Sequence, residues 1–403
     1  MNRTVESILE EVKTRKLMAV LKFTEKFDGV KIGASNLKVK ETEIRGAYPK
    51  LTAAQLDAIK ESIRKLSLFC SKQKESIKDV VLEAKGEKIT LKWLPVSRVG
   101  VYAPAGRAPL PSSVIMSAVP AKTAGVKELV LCSPPRKDGS IDPAILVAAN
   151  ECRIKEIYKI GGAQAIGAMA YGCESLSPVD MICGPGNVYV TRAKQSVSAE
   201  GAVKIDTTAG PSEVLILADE TANPKIVASD MLAQAEHGLT SAAICVAFSE
   251  NFANQLAIEL SSQLNSFEQK EPMLSSLRLF GAILVAKSLG EATQFANEFA
   301  PEHLEIFMKN PEEIAEKITN AGAVFIRTGE VFGDYGLSGG NHILPTGRAA
   351  RFASPVSVFS FMKQQQVEFM SKEAQADCSG SAAEFARLES LEAHARSAET
   401  RRV

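Results

Sequence analysis

The stretch FAPEHLEI (299–306) sets a glutamate beside a histidine. Imidazole is the side chain best suited to act as a base near neutral pH, and a glutamate can activate water. On a regular strand adjacent residues point to opposite faces, which would separate Glu302 from His303. Pro301, just before them, favours an irregular turn from which both can line one cleft. The chain has only four histidines in 403 residues, so the other three bear on the same question. His237 ends the helix-forming stretch DMLAQAEHG (230–238), three residues after Gln234 and on the same helix face. Two coordinating groups at that spacing can grip one metal ion; the structural alternative is a helix C-terminal histidine followed by a glycine cap. His342 sits in GDYGLSGGNHILPTG (333–347), a polar segment with five glycines that also holds Asp334. A loop of that length in an α/β chain is more often functional than incidental. His394, in LEAHA, reads as a surface residue of a C-terminal helix.

Taken together, the acceptable metal donors are Gln234, His237, Asp334 and one further histidine, all nitrogen or oxygen. Structural zinc is commonly bound by cysteines, whereas such a donor set suits a catalytic ion with an exchangeable position. The seven cysteines form no CxxC pair, and several fall in apolar strand-like runs where a thiol behaves as a small hydrophobe. Cys183 differs in abutting a glycine loop. Three such loops follow or flank strands: IGGAQAIGAMAYG, CGPGNVYVTRAK and TAGPSE. Glycine there lets the backbone approach a ligand, and the following helix N-terminus favours anions. None fits the dinucleotide fingerprint G-x-G-x-x-G, and tight α/β turns alone account for such glycines. The polar residues set in them are Gln164, Asn187 and Ser212. H-E-x-x-H is also absent, so metal-assisted redox chemistry and metal-assisted hydrolysis both stay open at this level.

These side chains must be placed by the elements around them. Short Val/Ile/Leu-rich runs with little alternation occur at 128–133, 156–160, 180–184, 213–218, 242–248, 282–286, 304–308 and 323–327. That pattern is expected of strands buried on both faces. Helix-forming stretches such as AIGAMAYG and PKIVASDMLAQAEHG lie between them, which predicts an α/β protein with largely parallel sheets. Residues before 95 and after about 362 read as mainly helical. The Pro-, Gly- and Ser-dense stretch 95–113 reads as a junction, and TTAGPSE (207–213) as a second one; the segment between suits one α/β domain inserted in another. No internal repeat stands out. Lys+Arg and Asp+Glu both number 47, so no broad field favours nucleic acid or an anionic membrane. The amphipathic start lacks the apolar core of a signal peptide, and no run is long enough to span a bilayer, so a soluble cytoplasmic protein is expected.

With those motifs in place, the chain resembles the histidinol dehydrogenase family from about Val5 to the C-terminus. The resemblance is carried in order by FTEKFDGV, PSSVIMSAVPAKTAGV, GGAQAIGAMAYG, GPGNVYV, AGPSEVLILADE, LAQAEHG, NEFAPEHLEIF, GDY, NHILPTGRAARFASP and LEAHA. It implies a zinc-dependent, NAD-linked enzyme of histidine biosynthesis that oxidises L-histidinol through L-histidinal to L-histidine with two NAD. It also implies roles by motif. Zinc would be held by Gln234, His237, Asp334 and His394. His303 would be the base for the alcohol proton, and Glu302 would activate the water that attacks the aldehyde. Ser212, His342 and Glu389 would help hold the substrate, and Tyr102, Gln164 and Asn187 would contact NAD. The fold implied is two Rossmann-like α/β domains with helical N- and C-terminal extensions, in an intertwined homodimer whose C-terminal tail completes the partner's site. The divisions expected are an N-terminal helical segment (1–20), a discontinuous metal-bearing domain (21–101 and 214–356), an inserted NAD-contacting domain (102–213) and a C-terminal helical tail (357–403).

Departures from the family pattern lie near the site. APAG (103–106) stands where VPGG is usual, one extra residue separates Asp334 from His342, the segment before GDY is about two shorter, and Ser390 replaces a glycine. They leave the expected zinc donors and the Glu302–His303 pair in place. The competing readings are a paralogous zinc and NAD dehydrogenase for another small alcohol, a metal hydrolase, and a non-catalytic metal-binding protein.

Overall fold

All eight apolar runs form strands, and they build two parallel sheets rather than one. The structure is a computed structural model, and it describes residues 2–106, 108–207 and 210–402. Thr208 and Ala209, in the glycine turn read at 207–213, lie outside the described residues. In chain order the strands are β1 (Val80–Ala84), β2 (Glu87–Pro95), β3 (Arg98–Tyr102), β4 (Glu128–Ser133), β5 (Glu156–Lys159), β6 (Met181–Cys183), β7 (Lys204–Ile205), β8 (Glu213–Ala218), β9 (Ala242–Ala247), β10 (Gly281–Val285), β11 (His303–Phe307), β12 (Ala323–Ile326) and β13 (Met362–Met370). The first five-stranded sheet runs β5-β4-β3-β6-β7 and the second β10-β9-β8-β11-β12. Every pairing in both is parallel. Each sheet repeats one strand order, third-second-first-fourth-fifth, so the molecule carries a topological duplication that its sequence does not display.

Hydrophobic burial explains why these runs pair in parallel. Leu129–Cys132 of β4 and Val214–Ala218 of β8 are buried throughout, as the helices on both faces of such sheets require. The strand β3 is the first sheet's centre, yet it lies inside the Pro/Gly-dense stretch that reads as a junction. It straddles position 101/102 and pairs along its length with β4. The helical N-terminal region packs on this first sheet's helices: Asn2–Asp28, kinked at Lys16 (φ 49°), lies on Gly162–Tyr171, and Ala53–Glu75 lies on Pro111–Ala124.

The terminal regions are helical as expected, with one addition. A hairpin of β1 and β2 is joined by β13 in an antiparallel three-stranded sheet, with Met362 opposite Pro95 and Met370 opposite Glu87. Residues 362–370 are therefore a strand, not a helix, and helix begins at Lys372. The strands β1 and β13 are largely exposed and β13 is rich in glutamine, so the apolar signal on which strand recognition depends is missing.

One close approach fixes the first sheet's carboxyl edge. Gly184, directly after β6, has φ +121°, and a Cβ there would overlap the carbonyl oxygen of Tyr102 at the end of β3. Its N–H donates to Asp206 at 2.8 Å and its carbonyl accepts from the buried Lys194 at 2.9 Å. Replacing it combines left-handed backbone strain with a backbone clash. Gly184→Ala is expected to lower unfolding stability by about 2–3 kcal/mol, measured as the shift of the urea midpoint at constant slope.

Candidate active site

The second sheet presents its reactive groups at the amino ends of its strands. The helix Leu289–Phe299 ends on Ala300 in the left-handed region (φ 51°), and the chain then turns through Pro301 and Glu302 into β11. The carbonyls of Pro301 and Glu302 are tied by the N–H groups of Gly322 and Ala323. Glu302 thus stands outside the regular strand, and the alternation that would split it from His303 does not apply. Its Oε2 lies 3.8 Å from His303 Nδ1.

A single neighbouring residue grips both. The N–H of Glu213, first residue of β8, donates to Glu302 Oε2 at 3.0 Å, and its carbonyl oxygen lies 3.2 Å from His303 Nδ1. A carbonyl only accepts, so Nδ1 carries the proton and Nε2 is left bare in the neutral ring. His303 Nε2 is buried and has no hydrogen-bond partner; Asp334 Oδ1 stands 3.6 Å from it. An orphaned buried polar atom calls for an explanation, and a catalytic role is one. Burial holds the imidazole down to about 4, with Asp334 partly opposing.

Behind the ring stands a group that the sequence reading missed. Glu330, only 1 % exposed, places Oε2 at 3.1 Å from His303 Nδ1. The Gln234 amide, oriented to donate to it, sits 3.1 Å from both Glu330 oxygens, and its other end lies 3.4 Å from Nδ1 of His237. Glu305, two residues beyond His303 and so on the same strand face, accepts the N–H of Glu330 at 2.6 Å. Asp230, one helical turn before Gln234, completes the layer. Burial pushes Asp230 up to about 6 and Glu302, Glu305 and Glu330 well above the ordinary carboxylate range. The available signal was Glu305 itself: a carboxylate inside the apolar run LEIFM has to find a buried partner.

The remaining expected residues divide between two locations. His237, at the C-terminal end of Pro224–Glu236, has Nε2 3.9 Å from Asp334 Oδ2. His342 Nδ1 donates to the Asp334 carbonyl, and burial lowers its pKa. Ser212 immediately precedes β8, beside Glu213. Gln234, His237, Asp334, His303, Glu302 and His342 therefore converge. Glu389 and His394 do not join them: both are exposed, on the C-terminal helical hairpin of Lys372–Leu388 and Glu392–Glu399. Among the described residues no group of three or more His, Cys, Asp or Glu side chains closes around one point. What a single chain offers a metal is His237, Asp334 and the Gln234 amide. That N/O set fits the catalytic type of zinc site but leaves a fourth donor to come from elsewhere.

The other expected contacts lie on the first sheet. Tyr102 ends β3, buried, and its hydroxyl accepts the N–H of Gly162 at 3.1 Å. Gln164 is fully buried with Oε1 unpartnered. Asn187 caps the helix Val188–Ala199, accepting from Tyr189 and Val190, so only its amide NH₂ is free for a ligand. These three stand past the carboxyl ends of β3, β5 and β6, with β5 the edge strand beside β4. In sheets of this order the crevice between first and fourth strands binds nucleotides.

The pattern of the histidinol dehydrogenase family matches residues 1–402. The chain is 43% identical to the histidinol dehydrogenase of Halalkalibacterium halodurans, over 98% of this chain and 93% of the relative. It is 46% identical to that of Caldanaerobacter subterraneus subsp. tengcongensis, over 99% and 92% respectively. The crystal structure of histidinol dehydrogenase from Elizabethkingia anophelis superposes with a TM-score of 0.92 at 38% identity, covering 99% of this chain and 91% of that one.

The buried imidazole makes stability depend on acidity in a defined direction. Between its free value of 6.5 and its folded value of about 4, the unfolded chain binds the proton more readily. This group's contribution is complete above about pH 6.5 and is lost as pH falls toward 4. In metal-free protein, His303→Asn is expected to lose less stability over that interval than the parent chain, read from urea midpoints at each pH.

Proposed function

The chain belongs to the histidinol dehydrogenase family of NAD-dependent oxidoreductases, and from that premise we propose how its own residues divide the reaction. The substrate is L-histidinol, oxidised through L-histidinal to L-histidine. The observation that carries the assignment of the base is His303: its Nδ1 is occupied by Glu213 and Glu330 while Nε2 is bare and buried. Nε2 takes the hydroxyl proton in the first oxidation. Burial keeps the ring neutral across the physiological range, so it is always available as an acceptor. Glu302 serves the second oxidation. With Oε2 held by the Glu213 N–H, its other oxygen is free to take a proton from the water that attacks the aldehyde carbon.

Gln234, His237 and Asp334 are the zinc donors within the chain, with Ser212 and His342 beside them for the substrate. When bound, zinc would orient the amino alcohol and lower its pKa, and NAD would accept the hydride. Tyr102, Gln164 and Asn187 hold NAD on the first sheet. The functional division therefore runs between the sheets, with NAD contacts within 102–213 and the catalytic and metal residues within 214–356.

His394 and Glu389 complete the site of a second copy in a homodimer. Support comes from the C-terminal hairpin, which exposes Phe385, Leu388 and Leu391 together with both residues, an apolar surface a lone chain would leave in water. Among the described residues no helix is long and apolar enough to cross a membrane.

Two outcomes test this reading. Purified protein with zinc, NAD and L-histidinol is expected to yield two NADH per histidinol and L-histidine as product; one NADH, or turnover of another alcohol alone, supports the paralogous dehydrogenase instead. His303→Asn is expected to lower kcat for L-histidinol by roughly 10²–10⁴-fold with the KM for NAD little changed. An equal rise in that KM would show that the variant disturbs more than proton transfer.

A further inference from the structure

A cavity of about 620 Å³ opens at the carboxyl edge of the first sheet. It is lined by the end of the N-terminal helix (Phe27, Asp28), by the segment after β3 (Ala105, Gly106) and by the segment after β4 (Pro134 to Lys137). In dinucleotide-binding sheets of this strand order, an acidic residue at the end of the second strand holds the adenosine ribose through its hydroxyls. Here the second strand is β4, and it runs out into Ser133-Pro134-Pro135 with no acid. Asp28 occupies that place from another element. A Cβ on Gly161 would stand 2.8 Å from Pro134 and 2.9 Å from Asp28 Oδ1, so proline, glycine and carboxylate meet at one point.

The surroundings of Asp28 separate it from the other acids of the cavity. Asp138 accepts the N–H and hydroxyl of Ser140, and Asp142 caps the helix Pro143–Glu151. Asp28 lies against the Gly161 backbone and 3.5 Å from Nε2 of Gln164, whose fully buried Oε1 has no partner. A carboxylate lining the cavity matches a hydroxyl-bearing ligand, since it wants O–H donors. Phe27, half-exposed at the rim and stacked on Phe23 at 5.7 Å, offers a flat face next to it. Arg136 and Lys137 line the same cavity and give it positive charge for a phosphate-bearing ligand.

We propose that Asp28 binds the adenosine ribose hydroxyls of NAD and disfavours a 2′-phosphate there, making it a specificity residue for the nucleotide. This rests on the reading that the first sheet carries NAD. Burial raises the Asp28 carboxyl to about 6, so the ionised group is held at a cost to folding above that pH. An isosteric amide should consequently fold at least as well at pH 8.

The test is the steady-state kinetics of Asp28→Asn and Asp28→Ala with NAD and with NADP, beside Gln164→Ala and with melting curves at pH 8. Loss of a charge-assisted contact predicts that the KM for NAD rises roughly tenfold or more in Asp28→Ala. The preference for NAD over NADP in kcat/KM is expected to fall by a similar factor in both Asp28 variants, with the KM for L-histidinol within about twofold of the parent. If Gln164→Ala weakens NAD while both Asp28 variants keep the parent NAD constants and preference, the role of Asp28 is overturned. If Gln164→Ala also leaves NAD unaffected, it is the placement of NAD on this sheet that fails.

Discussion

A buried imidazole that stays neutral and keeps one nitrogen bare is the condition on which the rest of the site depends. His303 meets it because the Glu213 carbonyl and the Glu330 carboxyl both claim Nδ1, and because burial makes the charged ring costly. The same burial governs the acids around it. Glu302, Glu305 and Glu330 cannot all be ionised within one low-dielectric layer, and their raised affinities for protons reflect that. A site so crowded with carboxyls is suited to a divalent cation and to moving protons, and poorly suited to an unpaired anion.

The proposed reaction carries a second requirement, bringing a nucleotide to this imidazole. One sheet offers the carboxyl ends of its strands and the other the amino ends. The loop after Asp334 bridges them: the Asn341 amide donates to the Met116 carbonyl at 2.7 Å, and Ile343 is buried in the core around the helix Pro111–Ala124. Glu213, which opens β8, holds the Pro301–Glu302 turn through the Glu302 carboxylate. The reactive residues thus come from segments whose mutual positions are fixed by backbone contacts, which is what proton transfer over a few tenths of an ångström demands.

How much of this was legible in the sequence followed from burial. Strands such as β4 and β8 announce themselves because both faces are apolar. The hairpin at 80–95 and the strand Met362–Met370 do not, since exposed strands carry polar residues and their pairing is decided by a distant partner. The central strand β3 was hidden by the prolines and glycines that follow it. At the site, Glu302, His303, Gln234, His237 and Asp334 could be singled out because histidine is scarce and its neighbours are polar. Glu330 and Asp230 could not, because a lone acid in a loop or helix looks solvent-facing until the fold buries it. The backbone grip of Glu213 is invisible in any sequence, as it belongs to no side chain.

In the proposed mechanism one turn aims two residues at successive oxidations of the same carbon, the histidine at the alcohol and the glutamate at the aldehyde. Single turnover of Glu302→Gln with L-histidinol and excess NAD tests it most directly, with NADH and product followed together. One NADH is expected at near the parent rate, with L-histidinal accumulating and L-histidine delayed. Two NADH formed as in the parent chain, or loss of the first NADH itself, would contradict it.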